Sequence, residues 1–329
     1  MASEFYFPAG VGVQDEIITP TDDASVVFRP AFARGAVQVQ SFGGPRLKIK
    51  RTCLVQGADR GELFAFLWAI RGKQQAFWTA VNYQIQGSFP GGELLLNPNW
   101  ASGIGTWSSG SSYSITAARK GRLRSTRTNT TASVLLSQSS ISFAAAAYMV
   151  RGVLRAKVAA NAANVRLYME NGSTYSLFNA GTSGIMTTSG VSAGGSKSIG
   201  FNDVGTGTIG DTMDVTYVTV QRCALINGGS QTGSAMTIDN LPASTAGLAL
   251  AGDLVEVNRQ IVTLVADLDS DGSGNGYLQF EPEVFSSPPD NDPVVFGAPM
   301  GKFILASDPQ ITNQYGLYAN VSFDMEQVY

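Results

Sequence analysis

Short runs of alternating apolar and polar residues dominate this chain. In GPRLKIKRTCLV, Leu47 and Ile49 stand two positions apart, which is the spacing of a half-buried strand. Aromatic and β-branched residues return in QAFWTAVNY, and DLVEVN, QIVTLVADL and GYLQFEPE continue the pattern over the last hundred residues. The pattern predicts a mainly β protein.

One segment, DRGELFAFLWAIRGK, predicts a helix instead. The apolar residues that share one helical face are Leu63, Phe66, Leu67 and Ile70. Asp59 precedes Glu62 by three positions, the spacing of a capping box, and Gly72 follows the apolar stripe. We expect a helix that begins at Asp59, ends at Gly72 and packs on a sheet.

The composition changes at about residue 93 to Gly, Ser, Thr, Asn and Ala, and it changes back near INGGSQTG, which is typical of a linker. Between these points lie many short alternating runs separated by turns, as in a β-sandwich. We therefore predict a discontinuous core domain of residues 1–92 and 228–329, with one helix, and an inserted jelly-roll or β-sandwich domain of residues 93–227.

The charge of the chain is low and unevenly distributed. There are 22 Lys and Arg against 25 Asp and Glu, which gives a formal net charge of -3 and no overall attraction to nucleic acid or an anionic membrane. No run of about 18 apolar residues predicts a membrane span. Residues 94–227 alone carry 11 Lys and Arg against four acids. In AARKGRLRSTRT, Arg122 and Arg124 fall on one face of a strand, which indicates either a solvated face or a site for an anionic glycan or an acidic partner.

The residues available for catalysis are few. The chain has no histidine, which excludes Ser-His-Asp and Cys-His nucleophile systems and His-ligated zinc. The two cysteines, Cys53 and Cys223, do not have a metal-ligand spacing, and we expect both to be reduced, buried thiols. Pairs of carboxylates could still cleave glycans, but residues 94–227 hold only four acids. We expect no catalytic residue, no cofactor, no metal and no enzymatic activity.

An acidic segment near the C-terminus, DLDSDGSGNGYL, has two interpretations. Asp267, Asp269 and Asp271 reproduce the first half of an EF-hand calcium loop. The twelfth position is Leu278 instead of the bidentate Glu, and both flanks read as strands. A glycine-rich hairpin is favoured, and calcium binding remains the alternative.

Large aromatic residues open the insert. Trp100 and Trp107 lie in LLLNPNWASGIGTWSS, and Tyr113 follows. Together with the later YMVRGVLRAKV, this pattern resembles the start of a jelly-roll carbohydrate-binding module, in which aromatic faces stack on sugar rings. The resemblance implies glycan contact at Trp100, Trp107 and Tyr113, with Arg122 and Arg124 beside them. The alternative is that these rings are core or edge residues of a sandwich without sugar binding.

The segments that flank the insert carry a second resemblance. SFGGPRLKIKRTC, ELFAFLWAIRGKQQAFW, GDLVEVNRQIVTLVADLDSDGSGNGYLQFEPEVFSSP, APMGKFILAS and YANVSFDMEQVY are together similar to the distal tail and related minor tail proteins of long-tailed bacteriophages. The family implies a belt domain that forms a homo-oligomeric ring, usually hexameric, between the tail tube and the tip, with an outward domain facing the host.

The same resemblance implies partners, a location and a contact surface. The partners would be the tail tube, tape-measure and hub proteins, and host-surface glycan for the insert. The chain would be made in the host bacterial cytoplasm and would end in the tail tip of the virion. The ring contact would include the hairpin of residues 269–276 and the strand of residues 321–325. Two alternatives stay open: a free-standing carbohydrate-binding protein, and a glycan-cleaving tail enzyme.

Overall fold

The computed structural model of the chain describes residues 5–8, 11–21, 25–28, 38–41, 46–70, 74–91, 94, 107–119, 122–131, 134–156, 165–169, 174–178, 183–203, 208–314 and 318–328. These ranges contain 23 strands and one helix, which confirms the predicted mainly β fold with a single helix. No helix in these ranges is both long and apolar enough to cross a bilayer.

The elements follow one another along the chain in three groups. Those before residue 93 are β1 (Phe5–Tyr6), β2 (Val13–Thr21), β3 (Ser25–Phe28), β4 (Gln38–Ser41), β5 (Arg46–Gln56), α1 (Gly57–Ala69) and β6 (Phe77–Ala80). Those of the insert are β7 (Trp107–Ser108), β8 (Tyr113–Arg119), β9 (Arg122–Arg127), β10 (Val134–Ala156), β11 (Val165–Met169), β12 (Thr174–Phe178), β13 (Ser183–Asp203) and β14 (Thr212–Arg222). The remainder are β15 (Ala224–Ile226), β16 (Gly233–Asp239), β17 (Leu254–Val257), β18 (Gln260–Leu264), β19 (Gly276–Val284), β20 (Pro293–Val295), β21 (Met300–Leu305), β22 (Gln310–Gln314) and β23 (Tyr318–Gln327).

Both ends of the chain build one sheet, which we call the helix sheet. Its strand order is β1-β6-β21-β23-β5-β2, and β22 pairs with β23. Alternate residues of β5, including Leu47, Ile49 and Cys53, are buried on the face against which α1 packs Leu63 and Phe66. The sequence pattern therefore predicted both the inward face of this strand and the inward face of the helix.

The start of the helix differs from the prediction. The helix begins at Gly57 and its N-cap is Gln56, so Asp59 lies in the first turn and is not the cap. Gly57 has a φ of 51°, a left-handed conformation that glycine adopts without strain. The strand can therefore turn directly into the helix, two residues before the predicted start. The helix also ends at Ala69, before the predicted Gly72.

The insert forms an eight-stranded sheet, which we call the insert sheet, folded over a single apolar core in a sandwich-like arrangement. Its order is β12-β11-β13-β10-β14-β9-β8, with β7 paired to β10. Short strands were expected throughout the insert, but β10 alone has 23 residues. Ser140, with a φ of 61°, lies at a shift in register, and β10 continues to pair with β13 beyond it.

Strands β15-β16-β19-β18-β17-β20 close into a six-stranded barrel. The barrel has its own core, in which the rings of Phe89 and Phe296 lie 4.3 Å apart between centroids. The segments that flank the insert thus contain two separate apolar cores, one under the helix sheet and one inside the barrel. A closed barrel has no unpaired strand edge, whereas the helix sheet does.

Three strands of the helix sheet each have one side without a described partner strand. One is β1, which has two residues and pairs only with β6; the other two, β2 and β22, are longer. Strand β2 has nine residues and pairs only with β5, while β22 has five residues and pairs only with β23. The terminal strands of the insert sheet, β8 and β12, have seven and five residues. Because β2–β5, β5–β23 and β23–β22 are all antiparallel, β2 and β22 run in opposite directions at opposite margins of one sheet.

Candidate functional site at the junction of the three units

The helix sheet, the insert sheet and the barrel meet at the carboxylate of Glu256 in β17. Arg151 of β10 donates from Nη1 to Oε2 at 3.0 Å and from Nη2 to Oε1. The backbone N–H of Met300 in β21 donates to Oε2 at 2.8 Å. The Arg151 and Glu256 side chains are only 3% and 2% exposed. One buried carboxylate therefore contacts all three units.

The alternation of side chains along β10 explains how the arginine reaches this position. Met149, Arg151 and Val153 project from the same face of the strand. Met149 packs in a small apolar cluster with Ala147, Cys223, Leu225 and Val295. Val153 packs on the other side with Ile185 and Met300. The ion pair thus lies between two apolar contacts, which keep water away from it and fix the insert against the other two units.

Asp292, next to the start of β20, lies close to this ion pair. Partial burial raises the pKa of the Asp292 carboxyl to about 6, and the negative charge of Glu256 adds to the rise. Arg259 and Arg151 oppose it. At neutral pH the junction therefore holds two carboxylates in addition to Arg151.

Both cysteines are free and buried, as predicted. Burial raises the pKa of the Cys53 thiol to about 11, and it raises the pKa of the Cys223 thiol as well. Since the thiolate is the reactive form, neither sulfur is a nucleophile near neutral pH.

A cavity of about 170 Å³ lies between the helix sheet and the insert sheet, next to the ion pair. Aromatic side chains line it from both sides: Tyr6 and Trp78 from the helix sheet, and Tyr217 from β14 of the insert. Met300 and Val153 add apolar surface. Residues of both sheets therefore form the wall of this cavity.

Arg51 forms a buried polar wall of this cavity and is 1% exposed. Its Nε donates to Glu16 Oε1 at 2.5 Å, its Nη1 to Thr79 Oγ1 at 2.6 Å and its Nη2 to a carbonyl oxygen, that of Ala80, at 2.7 Å. The guanidinium carbon lies 4.7 Å from the centre of the Phe7 ring. Burial lowers the pKa of Arg51, while Glu16 opposes that effect and neutralises its charge.

The aromatic residues proposed for glycan contact occupy a different place from the one expected. Trp107 and Tyr113 are 4% and 8% exposed and belong to the core of the insert sheet. Arg127 lies over the Tyr113 ring at 5.0 Å. Both rings are core residues because β7 and β8 direct them inward, so neither offers a face to a sugar. Trp100 lies outside the described residues.

The basic residues of β9 are also not a free cationic face. Arg124 donates from Nε and Nη2 to the two carboxylate oxygens of Asp214 in β14, at 2.7 and 2.9 Å. This hydrogen bond is the main reason that the pKa of Arg124 is raised. The guanidinium is therefore already paired with a carboxylate of the neighbouring strand. Arg122 lies in the same strand, but its side chain is outside the described part of the structure.

The acidic segment between β18 and β19 uses its carboxylates to hold loops together. Asp267, Asp269 and Asp271 each accept a hydrogen bond from a different backbone N–H. The donors are Ala251, Gly247 and Ser273, at 2.8, 2.7 and 2.8 Å respectively. Such bonds, mainly from Asn275, lower the pKa of Asp271. Among the described residues, no three His, Cys, Asp or Glu side chains are grouped as metal ligands. The segment joins the antiparallel strands β18 and β19, as in the favoured hairpin.

The strand of residues 321–325, expected at a ring contact, lies in the middle of the helix sheet. It belongs to β23, which pairs with β5 on one side and with β21 and β22 on the other. Val321, Phe323 and Met325 are buried under the helix. This expectation was wrong because the C-terminal strand inserts between strands of the sheet and has no free edge.

The residues of the junction were not among the sequence-based candidates, yet the sequence contains a signal for them. Arg151 stands alone in the apolar run YMVRGVL, and Glu256 stands alone in LVEV. A single charge inside a buried strand requires a partner of opposite charge. Arg151 and Glu256 have opposite charges, so they are candidate partners for each other. No local sequence pattern, however, shows that their strands come together.

Comparison with known proteins adds little to this description. No protein-family model matches the chain, and no curated protein matches it. One solved structure that is similar is the N-terminal CBM22-1-CBM22-2 tandem domain of Xyn10C from Paenibacillus barcinonensis. It covers 74% of this chain and 99% of its own, with 10% identity and a TM-score of 0.31. At this score the similarity supports no argument about the fold or the function.

Proposed function

We propose that this chain is a non-enzymatic structural subunit that assembles into a ring, in which β2 of one copy pairs with β22 of the next. The observation that carries the proposal is that the two longer open strands of the helix sheet, β2 and β22, lie at opposite margins. They run in opposite directions, so β2 of one copy and β22 of a neighbour in the same orientation would form an antiparallel pair.

Exposed apolar residues on both strands support this pairing. Ile17 of β2 is 53% exposed and Ile311 of β22 is 48% exposed. Exposed apolar residues favour association at a strand edge, whereas charge and proline oppose it. Because β2 also contains Asp15, Glu16 and Pro20, we place the pairing at residues 17–19, between the acids and the proline. Since the two contact surfaces are different, the association is head-to-tail, and such an association closes into a ring when the rotation between copies allows it.

The position of the ring in a virion is the finer part of the proposal. It follows from the sequence resemblance to phage distal tail proteins, with a hexamer as the usual ring. The tail tube, tape-measure and hub proteins would be its partners. The insert, fixed by the Arg151–Glu256 pair, would face outward as a rigid unit. Any contact of the insert with host glycan would use surfaces other than Trp107 and Tyr113.

The test is the mass of the purified chain by light scattering over a range of concentrations, together with negative-stain images. We expect closed rings of the unmodified chain. Replacing Ile17 and Thr19 with lysine, or Ile311 and Thr312 with lysine, should leave monomers, because lysines at a strand edge oppose pairing. The matched control replaces Val191 of β13 and Ile209 of the turn before β14 with lysine. These residues are 56% and 62% exposed, and this variant should still form rings.

Two outcomes would contradict the proposal. The unmodified chain could remain monomeric at every concentration and also fail to assemble with its tail components. Alternatively, rings could persist in both edge variants. If rings persist in both edge variants, the chain forms a ring, but β2 and β22 are not its contact.

A further inference from the structure

We propose that the cavity between the helix sheet and the insert sheet binds a small, uncharged aromatic molecule with a single six-membered ring. This proposal is independent of the assembly of the chain into an oligomer. The cavity has a volume of about 170 Å³, and a protein cavity of about 150 Å³ holds benzene. One aromatic ring therefore fits, whereas a bulkier ligand would extend beyond the cavity.

The polar groups of the cavity wall are already bonded within the protein. All three guanidinium nitrogens of Arg51 donate hydrogen bonds, to Glu16, to Thr79 and to a backbone carbonyl oxygen. Thr216 Oγ1 donates to the carbonyl oxygen of Val153 at 3.3 Å. A ligand with several hydroxyl groups would lose its bonds to water here and find its partners occupied. An apolar ligand has no such cost.

The remainder of the wall is mainly apolar and partly aromatic. Tyr6 and Trp78 belong to the helix sheet, and Tyr217 belongs to the insert sheet. The indole Nε1 of Trp78 is buried, so Trp78 offers a ligand carbon surface only. Aromatic rings attract one another beyond the effect of buried area when they pack edge-to-face or offset. The sulfur of Met300 in the same wall also makes favourable contacts with ring edges.

The cavity can be reached from solvent. It is partly open, and the side chains of Tyr6, Trp78 and Tyr217 are only half-buried. Val153 and Met300, by contrast, are 5% and 6% exposed. Three rings with remaining exposed surface thus surround a space whose other walls are buried. A ligand that covers these rings removes apolar surface from water, which favours its binding.

The charges of the wall disfavour ionised ligands. Arg51 is 1% exposed, and the carboxylate of Glu16 neutralises it. A ligand carboxylate would approach Glu16, and a ligand ammonium would approach Arg51, so each would meet a like charge. Either group would also lose its hydration without a free partner in the wall. Toluene should therefore bind more tightly than benzoate or benzylamine, which have the same ring.

The test measures binding of toluene, methylcyclohexane, benzoate and benzylamine to the full chain by NMR titration. We expect toluene to bind with a dissociation constant of about 1 mM or below. Benzoate and benzylamine should bind about tenfold more weakly or worse, because of their charge. Methylcyclohexane has nearly the size of toluene without its π-system and should also bind more weakly. Toluene should raise the unfolding temperature, because it binds the folded chain only.

Two variants fill the cavity from different sheets. Ala80→Leu enlarges a side chain of the helix sheet, and Val153→Phe enlarges one of the insert sheet. Each should reduce the affinity for toluene by about tenfold or more, because the added atoms occupy the space of the ligand. Val265→Phe is the matched control, since Val265 follows β18, is 56% exposed and does not line the cavity. It should bind toluene as the unmodified chain does.

Thermal unfolding without ligand shows which variants are folded, and either filling variant is sufficient for the test. The proposal is overturned if toluene does not bind, or if a folded filling variant keeps full affinity. It is also overturned if benzoate, benzylamine or methylcyclohexane binds as tightly as toluene.

Discussion

At the scale of single residues, the Arg151–Glu256 pair offers the sharpest test of how the three units are held together. Arg151→Met would leave Glu256 buried without its cation, and such a change costs about 3–5 kcal/mol of unfolding free energy. The double change Arg151→Met with Glu256→Leu removes both charges and should recover most of that loss. Urea unfolding of the two variants and the unmodified chain measures both effects.

Arg124→Met is the control for this pair, because the Arg124 side chain is 30% exposed although it also binds a carboxylate. Partly exposed ion pairs contribute little to stability, so we expect a loss of about 1 kcal/mol or less. An equal loss for Arg124→Met and Arg151→Met would show that the junction pair has no special role.

Asp292 makes stability depend on pH in a defined direction. Its pKa is raised from 3.8 to about 6 in the folded chain, so the protonated form is favoured by folding. The protonated Asp292 carboxyl therefore contributes fully to the unfolding free energy below about pH 4, and this contribution is lost as the pH rises through about 6. Asp292→Asn should raise the unfolding free energy at pH 7 by about 1 kcal/mol and have little effect at pH 4. A greater effect at pH 4 than at pH 7 would contradict this assignment.

Individual residues show which features a local sequence pattern can predict. Leu63, Phe66 and Ile70 are buried as the helical spacing predicted, because burial on one face is a property of local periodicity. The partners of Arg151 and Arg51 are 105 and 35 positions away along the chain. No local pattern specifies such pairs, and for this reason the candidate site had to come from the structure.

At the scale of elements, the turn from β5 into α1 can be tested with two glycines. Gly57 has a φ of 51°, and a Cβ there would meet no atom within 4 Å. Gly57→Ala should therefore destabilise the chain by about 1–2 kcal/mol through backbone strain alone. Gly61 lies inside the helix, also with open space around its Cβ position, and Gly61→Ala should stabilise it by up to about 1 kcal/mol. Thermal unfolding distinguishes the two, and a loss at both positions would show that crowding is involved.

The longest strands were the hardest elements to predict. Strand β13 spans 21 residues of a segment rich in Gly and Ser, a composition that usually indicates turns. The small residues have a packing role instead. A Cβ on Gly200 would lie 2.1 Å from the Leu136 carbonyl oxygen, and one on Gly152 would lie 2.5 Å from the Phe201 ring. Glycine is required where two strands or a ring approach closely, and such contacts are not visible in one strand's own pattern.

At the scale of the whole molecule, the sequence indicated the fold class but not the way in which the units share the chain. The strands after the insert all show the same alternation of apolar and polar residues. Nevertheless, β15–β20 close into a barrel, while β21–β23 join strands from the N-terminal part of the chain. Closure and strand order depend on pairing between distant segments. Hydrophobic alternation determines which face of each strand is buried, but it does not determine which strands pair with one another.

At this scale we can also test whether β2 and β22 of the helix sheet act as a head-to-tail pair. The chain with lysines at positions 17 and 19 keeps a free β22, and the chain with lysines at 311 and 312 keeps a free β2. In a head-to-tail ring each chain alone is monomeric, whereas a mixture forms one contact and stops at a 1:1 dimer. If β2 instead paired with β2 around a two-fold axis, the second chain would dimerise alone and mixing would add nothing. Light scattering of the separate and mixed chains distinguishes these outcomes, because the arrangement of edges, not their presence, determines whether the assembly closes into a ring.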